Sequence, residues 1–489
     1  MVQQLRLLLH HPFQQRIFRS WKILTFIAGC LFGCIVLLTY TTTNEFDSFS
    51  DPGLASSFTA KNLSSCFVDL NLLRLHAYNS SSIDYARLNI AVTRTDNFTA
   101  FADSLDVPLP TYHTVRLDIE ASREAQSEET CATSVTIEAP AVVARPDASH
   151  MLFGVVTSLE KLEDSLDAFA HWAGSTNARI MAIVDPGNTE TRQRIEQRAN
   201  ELHIRLTMVQ NEDTQLDQYF SLVRILYQHR DHSTQWAVLI DEDTFFPSMK
   251  NLVDRLASYD STLPQYIGGL TEDLAQLYGS GYMAYGGAGV FLSMPLLEEL
   301  QRVFEMCYSF QSEGDRMLAS CIYAHTNAKF TWEQGLHQLD LHGDASGFFE
   351  SGRPLPLSVH HWKSWFHADM VALGRVADIC GDECLLRRWH LSGEWFLVNG
   401  YSIIQDATLW NNPRPMEQTW KKSKYKGSDP FAYSLGPLRR LDPDKVSFRL
   451  VDVVQELDQV RQIYMFNETS DKPPQVLEVV WTVKSEDGD

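Results

Sequence analysis

Residues 236–246 read WAVLIDEDTFF: an unbroken apolar run from Trp236 to Ile240 passes directly into the acidic triplet Asp241, Glu242 and Asp243. A run this short, with no polar alternation, predicts a strand covered on both faces, the environment of a parallel sheet. Upstream, MLFGVVTS (151–158) is a second such run. LEKLEDSLDAFAHWA (159–173) then places Leu159, Leu162, Leu166 and Phe169 at helical spacing, and RIMAIVD (179–185) is a third strand that ends in an acid. RLTMVQ (205–210), the helical QLDQYFSLVRILYQH (215–229) and the amphipathic NLVDRLASY (251–259) continue the alternation around the triplet. Strand and helix in turn predict an α/β fold, a mostly parallel sheet flanked by helices, in which ligands collect at the carboxyl ends of the strands. Asp185 and the triplet both fall at that end.

Carboxylates on a turn after a buried strand can converge on one hard cation, Mn²⁺ or Mg²⁺, which in turn can hold diphosphate oxygens. The plain alternative is a solvated acidic turn. Further along, QYIGGLTED (265–273) is followed by YMAYGGAG (282–289), where Gly286, Gly287 and Gly289 allow close backbone approach by a ligand or simply make a turn. EGDRMLASCIY (313–323) and LPLSVHHWKSW (355–365) then supply Asp315 and the pair His360 and His361. An imidazole can complete an oxygen-rich metal site, whereas a histidine beside tryptophan is more often simply packed.

With 41 Lys and Arg against 62 Asp and Glu, the 489-residue chain carries a formal charge of -21, which argues against wrapping nucleic acid. Residues 23–40 (ILTFIAGCLFGCIVLLTY) hold no charge and are only about long enough to cross a ~30 Å hydrocarbon core. Arg16, Arg19 and Lys22 precede this run and Glu45 and Asp47 follow it, so residues 1–22 are expected to stay cytoplasmic and the body to face a lumen. A cleaved signal peptide is the alternative, although bulky Leu, Thr and Tyr stand where small cleavage-site residues belong. The expected location is the Golgi or ER membrane, as a single-pass type II protein. Asn62, Asn79, Asn97 and Asn467 head glycosylation tripeptides on the luminal side. Outside the span, six cysteines favour disulfides, with Cys307 to Cys321 and Cys380 to Cys384 the preferred local pairs; zinc is the alternative use of these thiols.

Residues 41–150 read as a stem with a small accessory layer that includes some strand. Residues 151–400 read as the main domain, and 401–489 as an added β-rich extension, from alternating runs such as VLEVVWTV (476–483). The basic KKSKYKG (421–427) reads as a solvated loop.

Taken in order, FGVVTS, IDEDTFF, YIGGLTED, YGGAG, EGD and SVHHW resemble glycosyltransferase family 31, which includes Fringe and the core-1 β1,3-galactosyltransferases. The resemblance covers roughly 152–365, and GLHQLDLHGDASGFF (335–349) with HHWKSW is similar to its fungal branch. It implies a GT-A-type, Rossmann-like fold and inverting transfer from a UDP-sugar to a glycan, glycoprotein or glycolipid hydroxyl, giving a β-linkage, β1,3 by analogy. It implies that Asp241, Asp243 and His360 hold manganese or magnesium, with His361 the fallback ligand, and that Asp315 is the general base. It also implies that Thr157, Asp185, Arg224, Asp241, Glu242, Gly286 and Gly287 line the donor site. Glu242 stands where many members have Asp, and EGD where many have PDD, which leaves open altered donor preference or lost activity. A non-catalytic luminal lectin or assembly partner is the rival from another class, a metallohydrolase a third, and a second copy of the chain is a partner left open.

Overall fold

A computed structural model describes residues 66–76, 80–117, 124–127, 132–141, 145–210, 218–308, 314–406, 415–427, 429–466 and 474–484. All of them belong to one compact unit, Leu63–Asp489. The tail 1–22, the span 23–40, Cys131 and the tripeptides at Asn62, Asn79 and Asn467 lie outside the described residues; Asn97 is exposed. Among the described residues, no helix is long and apolar enough to cross a membrane.

The central sheet has seven strands: β1 Met151–Thr157, β2 Arg179–Val184, β3 Arg205–Val209, β4 Trp236–Ile240, β5 Tyr266–Gly268, β6 Val290–Ser293 and β7 Phe330–Trp332. Their spatial order is β7-β5-β6-β4-β1-β2-β3. β3, β2, β1 and β4 run parallel, β6 is antiparallel to both its neighbours, and β7 is parallel to β5. The sheet is mostly parallel, as the alternation predicts.

Every residue of β4 is buried. Its side chains alternate between two cores: Trp236, Val238 and Ile240 face one, Ala237 and Leu239 the other. The first core is closed by helix α1 (Leu159–Ala173), through the predicted Leu159, Leu162, Leu166 and Phe169. The second is closed by α2 (Gln218–His229), α3 (Met294–Cys307) and α4 (Gly314–His325), with Phe220, Leu226, Leu300, Phe304 and Leu318 meeting there. Each such side chain contributes about 1.5–3 kcal/mol on leaving water. Disulfides join Cys307 to Cys321, clamping the end of α3 to α4, and Cys380 to Cys384. Both are the expected pairs, and these four thiols are therefore spent and cannot ligate zinc.

The regions expected as separate pieces, 41–150 and 401–489, share one nine-stranded sheet. At its heart Ser82–Thr95 pairs in parallel with Gln475–Val483, and on its other side with His113–Arg116 and Ala132–Pro140. Arg388–Leu391 and Trp395–Val398 belong to this sheet too, and the ladder runs on across position 400, where the extension was expected to begin. Leu88, Ile90, Val479 and Trp481 from this sheet join the same core as α1.

Candidate active site

The acidic triplet leaves β4 on a tight turn. The Thr244 backbone N–H donates to the Asp241 carbonyl at 3.1 Å, the Asp241 N–H donates to Thr244 Oγ1 at 3.0 Å, and that hydroxyl donates onward to the Gly287 carbonyl at 2.9 Å. One threonine thus ties the acid turn to the glycine loop. On the other side, Phe245 and Val359 exchange both backbone hydrogen bonds at 2.9 Å, a short antiparallel bridge that delivers the next residue, His360, to the acids. His360 Nε2 lies 2.9 Å from Asp243 Oδ1 and 3.3 Å from Asp241 Oδ2.

His360 is 3% exposed, and its Nδ1 has no hydrogen-bond partner among the described residues. Burial alone would lower its pKa, but the two carboxylates outweigh that and push it up to about 10. Two acids and one imidazole converging on a point make a donor set of hard oxygens and nitrogen that fits manganese or magnesium and offers no soft ligand. Asp243, His360 and His361 can bring ligand atoms within 4.8 Å of one another. His361, held at φ 60°, spends its ring elsewhere: Nε2 is 3.3 Å from Asp340 Oδ1, Nδ1 is 3.3 Å from Ser364 Oγ, and Trp365 stacks on it at 4.0 Å. Of the two rings, His360's is the one that pairs with Asp241 and Asp243.

The glycine loop explains itself by contact. A Cβ on Gly287 would fall 2.1 Å from His360 Cε1, so the loop can lie flat on the imidazole only without a side chain. The Gly286 N–H donates to Asp315 Oδ2 at 2.9 Å. Asp315 sits in the first turn of α4, after Gly314 at φ 60°. Burial raises its pKa, the Asp241 charge adds to that, and the opposing Gly286 N–H leaves it pushed up to about 6. A carboxyl with that pKa is ionised near neutrality yet basic enough to take a proton.

Thr157 ends β1 next to the acid edge, buried, with its hydroxyl unpartnered among the described residues. Asp185 follows β2 at the same edge and is exposed. Glu242 does not join Asp241 and Asp243 at the imidazole; it pairs with Lys161 of α1 at 2.6 Å. Arg224 is not brought to this group: its guanidinium stacks over Phe304 at 3.8 Å and pairs with Glu305 on α3.

Sequence reasoning gave no role to Gln338, Asp340, Thr271 or Glu272. Gln338 accepts the Ala288 N–H at 2.9 Å, and Asp340 stands between His361 and the Thr271 hydroxyl, which donates to it. Glu272 accepts from the Asp340 N–H at 3.3 Å and meets His337 at 3.1 Å. The segments GLTED and HQLD were visible as motifs. Their shared task, bracing the histidine turn from behind, became visible only in three dimensions.

Residues 276–367 match the family described as "Protein of unknown function, DUF604". That segment carries Gly286, Gly287, Asp315, Asp340, His360 and His361 but not the acid turn. No curated protein matches the sequence. Similar solved structures include the galactosyltransferase LgtC in complex with donor and acceptor sugar analogs, at 10% identity over 40% of this chain and 77% of that one, TM-score 0.27. The apo-form glycosyltransferase GlyE of Streptococcus pneumoniae TIGR4 is 12% identical over 48% of this chain and 61% of that one, TM-score 0.32. S. aureus TarS 1-349 is 14% identical over 37% and 58%, TM-score 0.26.

Proposed function

We propose that the chain is a metal-dependent, inverting glycosyltransferase of GT-A type, related to family 31, that moves a hexose or N-acetylhexosamine from a UDP-sugar to a glycan hydroxyl. The observation that carries this reading is the pair Gly286 and Gly287: the Gly286 N–H holds Asp315 and Gly287 lies against His360, so adjacent residues of one loop touch the base and the cation-binding group. Asp315 takes the proton from the acceptor hydroxyl. The oxygen then attacks the anomeric carbon opposite the departing UDP, whose diphosphate oxygen keeps the electron pair of the broken bond, and a β-linkage forms. A cation held by Asp241, Asp243 and His360 would neutralise the leaving diphosphate. Thr157 and Asp185 lie at the strand ends where the nucleotide would rest, and Lys161 fixes Glu242 beside them. The uncharged run 23–40 and the two disulfides support a type II protein of the Golgi or ER membrane with this site in the lumen.

The test is UDP release by the purified luminal part from about Phe46 onward, across UDP-galactose, UDP-glucose, UDP-N-acetylglucosamine and UDP-N-acetylgalactosamine, with Mn²⁺ or with EDTA. Release selective for one donor, abolished by EDTA and by Asp243→Ala, is the expected result. Absence of both release and metal-dependent UDP binding would overturn the reading in favour of a non-catalytic protein.

A further inference from the structure

The lysine-rich segment KKSKYKG (421–427) reads in sequence as a solvated loop, yet it is pinned to the site at several points. The Lys421 N–H donates to the His342 carbonyl at 2.9 Å, and the stem of Lys421 lies over Gly343. His342 stacks on Trp365 at 3.9 Å, and Trp365 stacks in turn on His361. Further along the segment, the Ser423 hydroxyl donates to Asp273, which caps the short helix Leu274–Ser280, and Tyr425 stacks on Tyr278 of that helix at 5.5 Å and 12°.

That helix closes the circuit back to the base. Arg316, next to Asp315, donates to the Gly279 carbonyl at 2.7 Å, and the Tyr285 hydroxyl, next to Gly286, donates to the Gly281 carbonyl at 3.3 Å. The helix buries none of its own residues, and Tyr278 is 74% exposed. The result is a continuous rim from His361 through Trp365 and the lysine loop to Tyr278 and Asp315. Lys421, Lys422, Lys424 and Lys426 are all exposed along it, and none makes an ion pair among the described residues. Four cations in seven residues, unpaired among the described residues, run against a chain whose formal charge is -21, so the rim is a local reversal of the molecule's field.

We propose that this rim is the acceptor subsite and that it selects an anionic sugar chain, one bearing carboxylate or phosphate groups, with the proposed transferase activity as its premise. The exposed ring of Tyr278 suits the apolar face of a pyranose ring, while the lysines meet the acidic substituents. A chain bound there would run past Asp315 and the histidine turn, with one hydroxyl in reach of the base.

The experiment is binding of tetragalacturonate, phosphorylated mannotetraose and neutral mannotetraose to the purified luminal protein, without donor, so that it reads the rim independently of turnover. Either acidic ligand, or both, should bind at least about tenfold more tightly than the neutral one. The preference should weaken from about 0.05 M to about 0.5 M salt. It should also disappear when Lys421, Lys422, Lys424 and Lys426 are all changed to Gln. Tyr278→Ala, an exposed change that leaves the lysines in place, should weaken acidic and neutral chains alike. Equal binding of all three ligands, no binding of any, or an acidic preference that survives loss of the lysines would overturn the proposal. UDP binding measured on the same sample separates the two ideas: its absence alongside lysine-dependent glycan binding would sink the transferase reading and leave a lectin with this same specificity.

Discussion

Two desolvated carboxylates, a buried one and a part-buried one, show how one residue chemistry serves two ends. Glu478, at the heart of the nine-stranded sheet, is 1% exposed. Burial would raise its pKa, but Arg87 at 2.9 Å and Arg461 at 2.5 Å hold it below the usual carboxylate range, and the Tyr85 hydroxyl donates to it as well. Asp315, at the edge of the seven-stranded sheet, has no such ion pair among the described residues; it receives the Gly286 N–H and faces the charge of Asp241. The first acid is neutralised and serves the packing. The second is left under-compensated, which costs stability and retains basicity.

The largest effect that would break this comparison is catalytic. Asp315→Asn keeps the shape and the hydrogen bond but removes the base, so transfer should fall by ~10²–10⁴-fold while UDP still binds with Mn²⁺. Full transfer by this variant in a radiolabelled-sugar assay would leave Asp315 no more than a structural acid. Next comes Gly287→Ala, whose added methyl must displace His360. Metal-dependent UDP affinity, measured by calorimetry, should fall by roughly 10–100-fold, as when a metal site loses its support. An unaltered affinity would detach His360 from the cation.

Stability should move in opposite directions for the two acids. Glu478→Gln leaves the part-buried Arg87 and Arg461 without their charge partner and should cost about 3–5 kcal/mol in urea unfolding. Asp315→Asn should instead stabilise at pH 7.5, by on the order of 2–3 kcal/mol, because a carboxyl with a folded pKa of about 6 against an ordinary 3.8 penalises the native state once ionised. The native chain holds a proton between those values that the unfolded chain has released. The gain should therefore be absent below about pH 4, develop as pH rises, and be complete above about pH 6. The smallest effect is the shape of the rate profile: transfer should rise with pH along an acid limb centred near 6. A limb near 4 would mean that Asp315 is better compensated than its surroundings indicate.

Much of the seven-stranded sheet was legible because its information is local. An unbroken apolar run such as WAVLI declares a strand with two covered faces, the spacing of Leu159, Leu162, Leu166 and Phe169 declares the helix that covers one, and the acids then fall at the carboxyl edge without further information. Both disulfides were legible for a similar reason, since their partners are 14 and 4 residues apart. The nine-stranded sheet was less legible. Alternation in Ser82–Thr95 and in Gln475–Val483 marks each as a strand, but periodicity states which face is apolar and says nothing of the neighbour.

The sequence by itself determined the parallel α/β core, the edge on which chemistry could sit and the residue types placed there. Only the tertiary structure decided that Val359 bridges Phe245 and so hands His360 to Asp241 and Asp243, that Arg224 turns instead to Phe304 and Glu305, and that KKSKYKG rests beside the histidine turn. The physical reason is the same in each case. Burial pattern is written in neighbouring residues, whereas the meeting of distant segments is settled by which pairings bury the most apolar surface while satisfying every backbone group, and that competition involves the whole chain at once.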